Sequence, residues 1–173
     1  DSPLDRESVG ETVYLDLINR ASKYLYIFTP YLILDDFMRT ALCNAAKRGV
    51  DVRIVTPGIP DKKMVFRLTR SNYAPLMKSG VKIYEYTPGF IHAKSMVCDD
   101  EAAVVGTINL DYRSLYLHFE NAVYFSHCDA VAAVKQDGED VFAVSKRMTI
   151  EDTRQTFIGK LVDSVLRVFE TLL

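Results

Sequence analysis

FIHAKSMVCD, residues 90–99, places His92 and Lys94 two positions apart and ends at Asp99. Side chains two residues apart in a strand lie on the same face, so an extended 92–98 segment would direct His92 and Lys94 to one side. An imidazole can act as a nucleophile or proton donor near neutral pH, and an ammonium group stabilises negatively charged oxygens. The segment therefore predicts a strand that begins beside a phosphate-binding site.

The next segment, GTINLD at residues 106–111, supplies further polar groups at the end of a second predicted strand, 101–106. The hydroxyl of Thr107 and the carboxamide of Asn109 could donate hydrogen bonds to phosphate oxygens. Asp99 lies seven residues after His92 and therefore falls on the other strand face. We expect Asp99 to order the turn at residues 99–100.

Together these residues, followed by Arg113 and Ser114, resemble the signature of the phospholipase D superfamily, and more narrowly of bacterial cardiolipin synthases. The resemblance covers residues 1 to about 127 and includes three upstream segments, TPYL at 29–32, GVDVRIVTP at 49–57 and GVKIYEY at 80–86. An isolated histidine–lysine pair would be a weak signal, but this ordered set is far more specific.

The resemblance implies a set of catalytic residues, which includes Asp99 because that residue belongs to the motif. The set is His92, Lys94, Asp99, Asn109 and Glu120. His92 corresponds to the reactive histidine, while Lys94 and Asn109 correspond to the phosphate clamp. Thr107 stands where many members have serine and joins the substrate-binding group. Glu120 corresponds to a glutamate that accepts a hydrogen bond from the histidine's other nitrogen, as the orienting group of a triad does.

The chemistry that the resemblance implies normally uses two such histidines, and this chain has one copy of the motif. Neither His118 nor His127 is followed by a lysine two positions later, and we assign neither a role. Because the chain begins with Asp1 rather than Met, we expect it to be the second catalytic half of a longer protein. The second histidine would come from that missing half or from a homodimer partner, and a monomeric fragment would be inactive.

The resemblance implies transfer of a phosphatidyl group between two phosphatidylglycerol molecules through a phosphohistidine intermediate, with release of glycerol. In two-copy family members the first-half histidine is usually the nucleophile, which leaves His92 as general acid and base. The domain would act at a bacterial cell membrane, as a peripheral unit on the cytoplasmic side of an anchored protein. Three alternatives remain: a homodimeric phosphodiesterase or nuclease, a hydrolytic phospholipase D, and a non-catalytic lipid-binding or interaction module.

Composition and charge limit the kinds of ligand and partner that the sequence predicts. A net charge of −2 over 173 residues lacks the basic footprint typical of nucleic-acid binding, so no nucleic-acid partner is expected. Three widely spaced cysteines predict no disulfide framework, and the segment at 127–129 alone is a poor metal signal. We expect neither a metal nor a cofactor. The basic face formed by Lys63, Arg67 and Arg70 could bind lipid headgroups or be simply solvated.

The order of predicted elements is typical of an α/β domain with a mixed central sheet and helices on both faces. Helices are predicted at about 8–21, 35–47 and 61–80, the last with an interruption at Pro75. Strands are predicted at 24–29, 50–56, 81–86, 92–98, 101–106 and 121–126. The whole chain, 1–173, is predicted as one domain. An apolar stripe predicts a carboxy-terminal amphipathic helix over 152–173, which we expect to pack on this domain or a missing one. Residues 137–146 receive no assignment.

Overall fold

A seven-stranded mixed sheet forms the centre of the computed structural model, which describes residues 1–4, 6–154 and positions 156, 159, 162 and 166. The strands lie in the order β6-β5-β4-β1-β2-β3-β7. β1, β2 and β3 are parallel, and every other neighbouring pair is antiparallel. Their bounds are β1 Tyr24–Phe28, β2 Asp51–Pro57, β3 Lys82–Tyr86, β4 Ser95–Cys98, β5 Ala102–Gly106, β6 Ala122–Ser126 and β7 Ser145–Arg147.

Helices cover both faces of this sheet. Their bounds are α1 Val9–Arg20, α2 Asp36–Lys47, α3 Lys63–Ser71, α4 Tyr73–Lys78, α5 Tyr112–Tyr116 and α6 Asp129–Ala143, followed by a 3-10 turn at Glu151–Thr153. α1, α2 and α4 pack on one face around the larger hydrophobic core, and α6 packs on the other. The predicted α/β fold with a mixed sheet and helices on both faces is confirmed.

The core beneath α6 is largely aromatic. The ring of Phe142 packs edge-on against Tyr26 at 4.9 Å between centroids and also contacts Phe28 at 5.7 Å. Gly138 permits this approach, since a Cβ there would lie 3.0 Å from the Phe28 ring. Such aromatic contacts add to the stabilisation from buried area. They hold α6 against the middle of the sheet. The end of this helix lies in the region 137–146, which received no assignment from the sequence.

Most predicted elements are present, but the strand that carries the motif begins later than predicted. Regular pairing of β4 starts at Ser95, opposite Val105 of β5, so His92 and Lys94 lie in the preceding loop. The prediction that residues 92–94 belong to this strand is therefore wrong. The helical stretch at 61–80 is divided at Asn72 rather than at Pro75, which lies within the first turn of α4, where proline is tolerated.

The strand directions place several loops at one edge of the sheet. β1, β2 and β3 end at this edge, β5 also ends there, and the antiparallel strands β4 and β6 begin there. The connections at this edge, called the site edge below, are 29–35, 58–62, 87–94 and 107–121. Ligands of open α/β sheets bind beyond the carboxyl ends of the parallel strands. The site edge is consequently where a functional site is expected.

The end of the chain is described only in part. Residues 151–153 form the 3-10 turn, and nearly all of the amphipathic helix predicted over 152–173 lies outside the described residues. Among the helices that are described, none combines the length and hydrophobicity needed to cross a bilayer.

Gly106 should be required for stability, because β6 approaches its backbone closely. A Cβ at Gly106 would lie 2.3 Å from the Asn121 carbonyl oxygen and 2.5 Å from Ala122 Cα. We expect Gly106→Ala to lower the free energy of unfolding by about 1–3 kcal/mol, the usual effect of overpacking. The matched control is Gly89→Ala, where a Cβ meets nothing within 4 Å. Equal urea midpoints for the two variants would contradict this account of β5 and β6.

Candidate active site

The segment 107–111 is held at the site edge by hydrogen bonds to other elements. The hydroxyl of Tyr14 in α1 donates to the Ile108 carbonyl at 2.9 Å. The hydroxyl of Thr29, at the end of β1, accepts from the Leu110 amide at 3.1 Å. The Ile33 amide donates to the Leu110 carbonyl at 2.8 Å. These contacts fix the backbone on both sides of Asn109.

Asn109 lies beside a buried carboxylate. Its amide nitrogen donates to the Ser114 hydroxyl at 3.0 Å, while its buried Oδ1 atom has no hydrogen-bond partner. Asp111 caps α5 by accepting from the Ser114 amide at 2.8 Å, and burial raises the pKa of this carboxyl. An unpaired buried polar atom is costly, so Asn109 Oδ1 marks a position where a ligand hydroxyl or N–H would be favourable, whereas phosphate oxygens would have to be met by the N–H side of the same carboxamide.

His92 and Lys94 lie together in the loop before β4. The exposed imidazole of His92 stacks on Phe90 at 5.5 Å between ring centroids. The Lys94 ammonium donates to the His92 backbone carbonyl at 2.8 Å, and the Lys94 carbonyl accepts from the Gly106 amide at 3.1 Å. Partial burial, and then the charge of Lys94, lower the pKa of His92, against an opposing effect of Asp61. The neutral imidazole, which can take up a proton, is therefore favoured at neutral pH.

Glu120 contacts Thr107. The Thr107 hydroxyl donates to the Glu120 carboxylate and accepts from the Asn121 amide at 2.9 Å. The Glu120 side chain is only 9% exposed. Its charge opposes the lowering of the Lys94 pKa that burial causes. The predicted hydrogen bond between Glu120 and His92 does not occur among the described residues, because Thr107 occupies one carboxylate oxygen and the other faces His118.

His118 is a neighbour of the site that the sequence analysis missed. Its Nδ1 atom lies 3.8 Å from the Glu120 carboxylate, and its Nε2 atom accepts a hydrogen bond from Arg113 Nε at 3.2 Å. A ring whose Nε2 accepts a hydrogen bond carries its proton on Nδ1, on the side facing Glu120. The only signal in the sequence was the position of His118 two residues before Glu120.

Asp99 lies at the opposite end of β4 from His92, and counting it with the catalytic residues was wrong. Its carboxylate accepts from the amide and hydroxyl of Ser22 at 2.6 and 2.9 Å, and from the amides of Lys23 and Tyr24, both at 2.8 Å. Burial alone would raise the pKa of Asp99, but these hydrogen bonds lower it. The positive φ of Asp99 and Asp100 agrees with the expected role in the turn.

Two more side chains of the site edge were not identified from the sequence. The hydroxyl of Tyr31, after β1, donates to the carboxylate of Asp61, after β2, at 2.5 Å. Asp61 is near enough to oppose the lowering of the His92 pKa. Both follow the carboxyl ends of parallel strands, which is the signal that could have identified them.

The basic face proposed on α3 is largely engaged within the chain. The guanidinium of Arg70 forms two hydrogen bonds with the buried Glu85 carboxylate, at 2.7 and 2.9 Å. Arg67 donates to the Gly159 carbonyl at 2.8 Å. The lipid-headgroup interpretation of this face is therefore not supported for Arg67 and Arg70, whereas Lys63 at the start of α3 is exposed. No group of three or more potential metal ligands occurs in the described part of the chain.

Fold and site together define a phospholipase D-type α/β domain with its histidine and lysine at the sheet edge. The family described as "Cardiolipin synthase, PLD-like domain" matches residues 14–141, more than half of the chain, and the chain belongs to this family. The predicted resemblance is confirmed. The phospholipase D family member Nuc from Salmonella typhimurium superposes with a TM-score of 0.73 at 20% identity, covering 83% of this chain and 93% of that one.

Two relatives extend along the whole chain. A cardiolipin synthase from Geobacillus sp. strain WCH70 is 37% identical over 172 residues, which are 99% of this chain and 34% of that protein. An uncharacterized protein from Streptococcus mutans is 52% identical over 174 residues, which are 100% of this chain and 38% of that protein. The chain thus spans about a third of the length of these curated relatives.

Asp99→Asn should destabilise the fold in a pH-dependent way. Because the pKa of Asp99 is lower in the folded state, its ionised form stabilises that state above the unfolded pKa of about 3.9. This contribution is lost as pH falls through the folded pKa. We expect Asp99→Asn to reduce the free energy of unfolding by about 1–3 kcal/mol at pH 7.

Urea unfolding between pH 7 and pH 3 measures this effect, with Asp137→Asn, on the exposed side of α6, as the matched control. The difference between wild type and Asp99→Asn should shrink at the acid end. A constant difference across the range would contradict an ionised structural role for Asp99.

Proposed function

We propose that this chain is one catalytic half of a cardiolipin synthase, which transfers a phosphatidyl group from one phosphatidylglycerol to another and releases glycerol. The observation that carries the proposal is the placement of His92, Lys94 and Asn109 around one sheet edge, in a chain of this family. One histidine and one lysine provide half of the groups for a displacement at phosphorus. No cofactor or metal has a part in the proposed reaction.

The proposed reaction has two displacements at phosphorus. In the first, an imidazole nitrogen attacks the phosphodiester of phosphatidylglycerol, the phosphorus–oxygen bond to glycerol breaks, and the leaving oxygen takes a proton from a second histidine. In the second, a hydroxyl of another phosphatidylglycerol gives its proton to that second histidine and attacks phosphorus. The phosphorus–nitrogen bond then breaks, which gives cardiolipin and restores both histidines.

Within this scheme His92 is the general acid and base, and the nucleophile comes from the missing half. The lowered pKa of His92 suits the step in which its neutral imidazole removes a proton from the acceptor hydroxyl. The Lys94 ammonium and an N–H of the Asn109 carboxamide donate to the non-bridging oxygens, whose charge increases in the transition state. The charge of Glu120, which accepts a hydrogen bond from Thr107, opposes the lowering of the Lys94 pKa by burial and so favours the charged ammonium.

The missing histidine requires a second domain. Cardiolipin synthase relatives about three times as long as this chain support a first catalytic half in the same polypeptide. By the same reasoning, the isolated 173-residue chain is inactive as a monomer. We place the domain at the cytoplasmic side of a bacterial membrane, where its phospholipid substrates are.

A homodimeric phosphodiesterase is the second candidate. One observation favours it. The superposition with Nuc covers 93% of the Nuc chain, so a protein of about this size with the same fold exists as a separate chain. Two copies could then place two His92 side chains against each other across a two-fold axis. The net charge of −2 argues against a nucleic-acid substrate for such a dimer.

The test is a product assay with phosphatidylglycerol, using the full-length protein that contains this chain. Wild type should form cardiolipin, and His92→Ala should reduce the rate by at least about 100-fold, since acid–base groups contribute about that much or more. The matched control is His127→Ala, at the turn between β6 and α6 on the opposite sheet edge, which should retain wild-type activity.

The products separate the alternatives. Phosphatidic acid without cardiolipin would establish hydrolysis rather than transfer. Unchanged cardiolipin synthesis by His92→Ala would overturn the catalytic assignment and favour a lipid-binding or interaction module. Substantial synthesis by a 173-residue sample that sediments as a monomer would contradict the need for a second histidine.

A further inference from the structure

We propose that the site edge docks on the surface of a bilayer containing anionic phospholipid, through a rim of exposed apolar side chains at the same edge as the candidate active site. The apolar rim consists of Phe37, Ile59, Met64, Phe90, Leu117 and Phe119, which are between 42% and 76% exposed. This inference deepens the proposed function, on which it rests, by specifying how the chain reaches a phosphodiester that lies in a membrane.

Each member of the rim is placed at the site edge by its element. Ile59 follows β2 directly, and Phe90 precedes His92 and stacks on it. Leu117 and Phe119 lie on either side of His118 in the connection to β6. Strands β6 and β2 are the first and fifth in the sheet, so at about 4.8 Å per strand the rim spans roughly 20 Å.

The first turns of two helices complete the rim. Phe37 belongs to the first turn of α2, whose capping residue Asp35 accepts a hydrogen bond from Tyr116 of α5 at 2.5 Å. Met64 is the second residue of α3, and the next residue, Val65, packs against Ile33 in the connection after β1. Both first turns are thereby joined to segments of the site edge.

The opposite edge of the sheet provides an internal comparison. Its connections 21–23, 48–50, 79–81, 99–101 and 127–128 contain no exposed large apolar side chain, and the described segment 148–150 after β7 adds a single one, Ile150, at 39% exposed. Scattered exposed apolar residues are normal on soluble proteins, whereas their concentration at one functional edge marks an interaction site. The asymmetry therefore distinguishes the rim from ordinary surface composition.

Charge favours a lipid surface as the occupant. The exposed lysines Lys62 and Lys63 lie between Ile59 and Met64, and lysines near an anionic leaflet are attracted to it. Of the exposed acids nearby, Asp36 is paired with Arg39 at 2.7 Å, while Asp61 accepts from Tyr31 and offsets one of the two lysine charges.

The form of the rim also favours a bilayer over a protein partner. Its side chains belong to separate segments of the site edge, with lysines between two of them, instead of forming one continuous face. Apolar side chains that enter the interface by about 5–10 Å would hold the edge at the depth of the phosphate groups. Lys94 and Asn109 would then meet a phosphodiester without removing the lipid from the membrane.

Vesicle sedimentation of the 173-residue chain tests the proposal without requiring turnover. On vesicles of phosphatidylcholine and phosphatidylglycerol in equal parts, the double variant Ile59→Ser, Met64→Ser should bind at least about tenfold more weakly than wild type. Lys62→Gln with Lys63→Gln should weaken binding to these vesicles but not to phosphatidylcholine alone. The matched control Tyr124→Ser, which changes a 42% exposed ring on β6, should bind as wild type does.

Equal binding by the rim variant and wild type, or an equal loss in the Tyr124 control, would overturn the proposal. So would a rim variant that changes a dimer to a monomer in sedimentation velocity and binds vesicles normally, because a protein partner would then be the occupant. Failure of the proposed function would appear separately, as the absence of cardiolipin in the product assay with normal vesicle binding.

Discussion

The antiparallel insertion of β4 between β1 and β5 is the constraint on which the site depends. β1, β2 and β3 run in parallel, and an antiparallel β4 brings its preceding loop to their carboxyl ends. Asp99 secures the far end of β4 by accepting four hydrogen bonds from residues 22–24. Because that anchor fixes where the strand ends, it also fixes which residues emerge at the site edge, namely His92 and Lys94.

At that edge, electrostatics favour a site for an anion that can exchange protons. Partial burial, and then the charge of Lys94, lower the pKa of His92, while Glu120 and Asp111 counteract the lowering of the Lys94 pKa that burial causes. A charged lysine beside a neutral histidine is a suitable pair for binding a phosphodiester and moving a proton. The apolar rim lies at the same edge as this pair, and it is consistent with a substrate whose remainder is hydrophobic.

The sequence was sufficient for the fold class and for most elements, because the alternation of apolar runs with capping and turn residues is local. Asp35, for example, where the second helix is predicted to begin, caps α2. Sequence could not show that pairing of β4 starts only at Ser95, since register depends on the partner strands. Nor could it show that Thr107 contacts Glu120 or that His118 lies beside it, because those contacts depend on the path of the 107–121 connection.

The central claim is that His92, Lys94 and Asn109 form one phosphate-binding site at the sheet edge. Titration of the chain with inorganic phosphate, followed by NMR of the three histidine side chains, tests this most directly. The account predicts a saturable shift of the His92 signals, with His127 unaffected, and loss of that shift in Lys94→Met. Saturable binding that leaves His92 unshifted, or that persists unchanged in Lys94→Met, would contradict it.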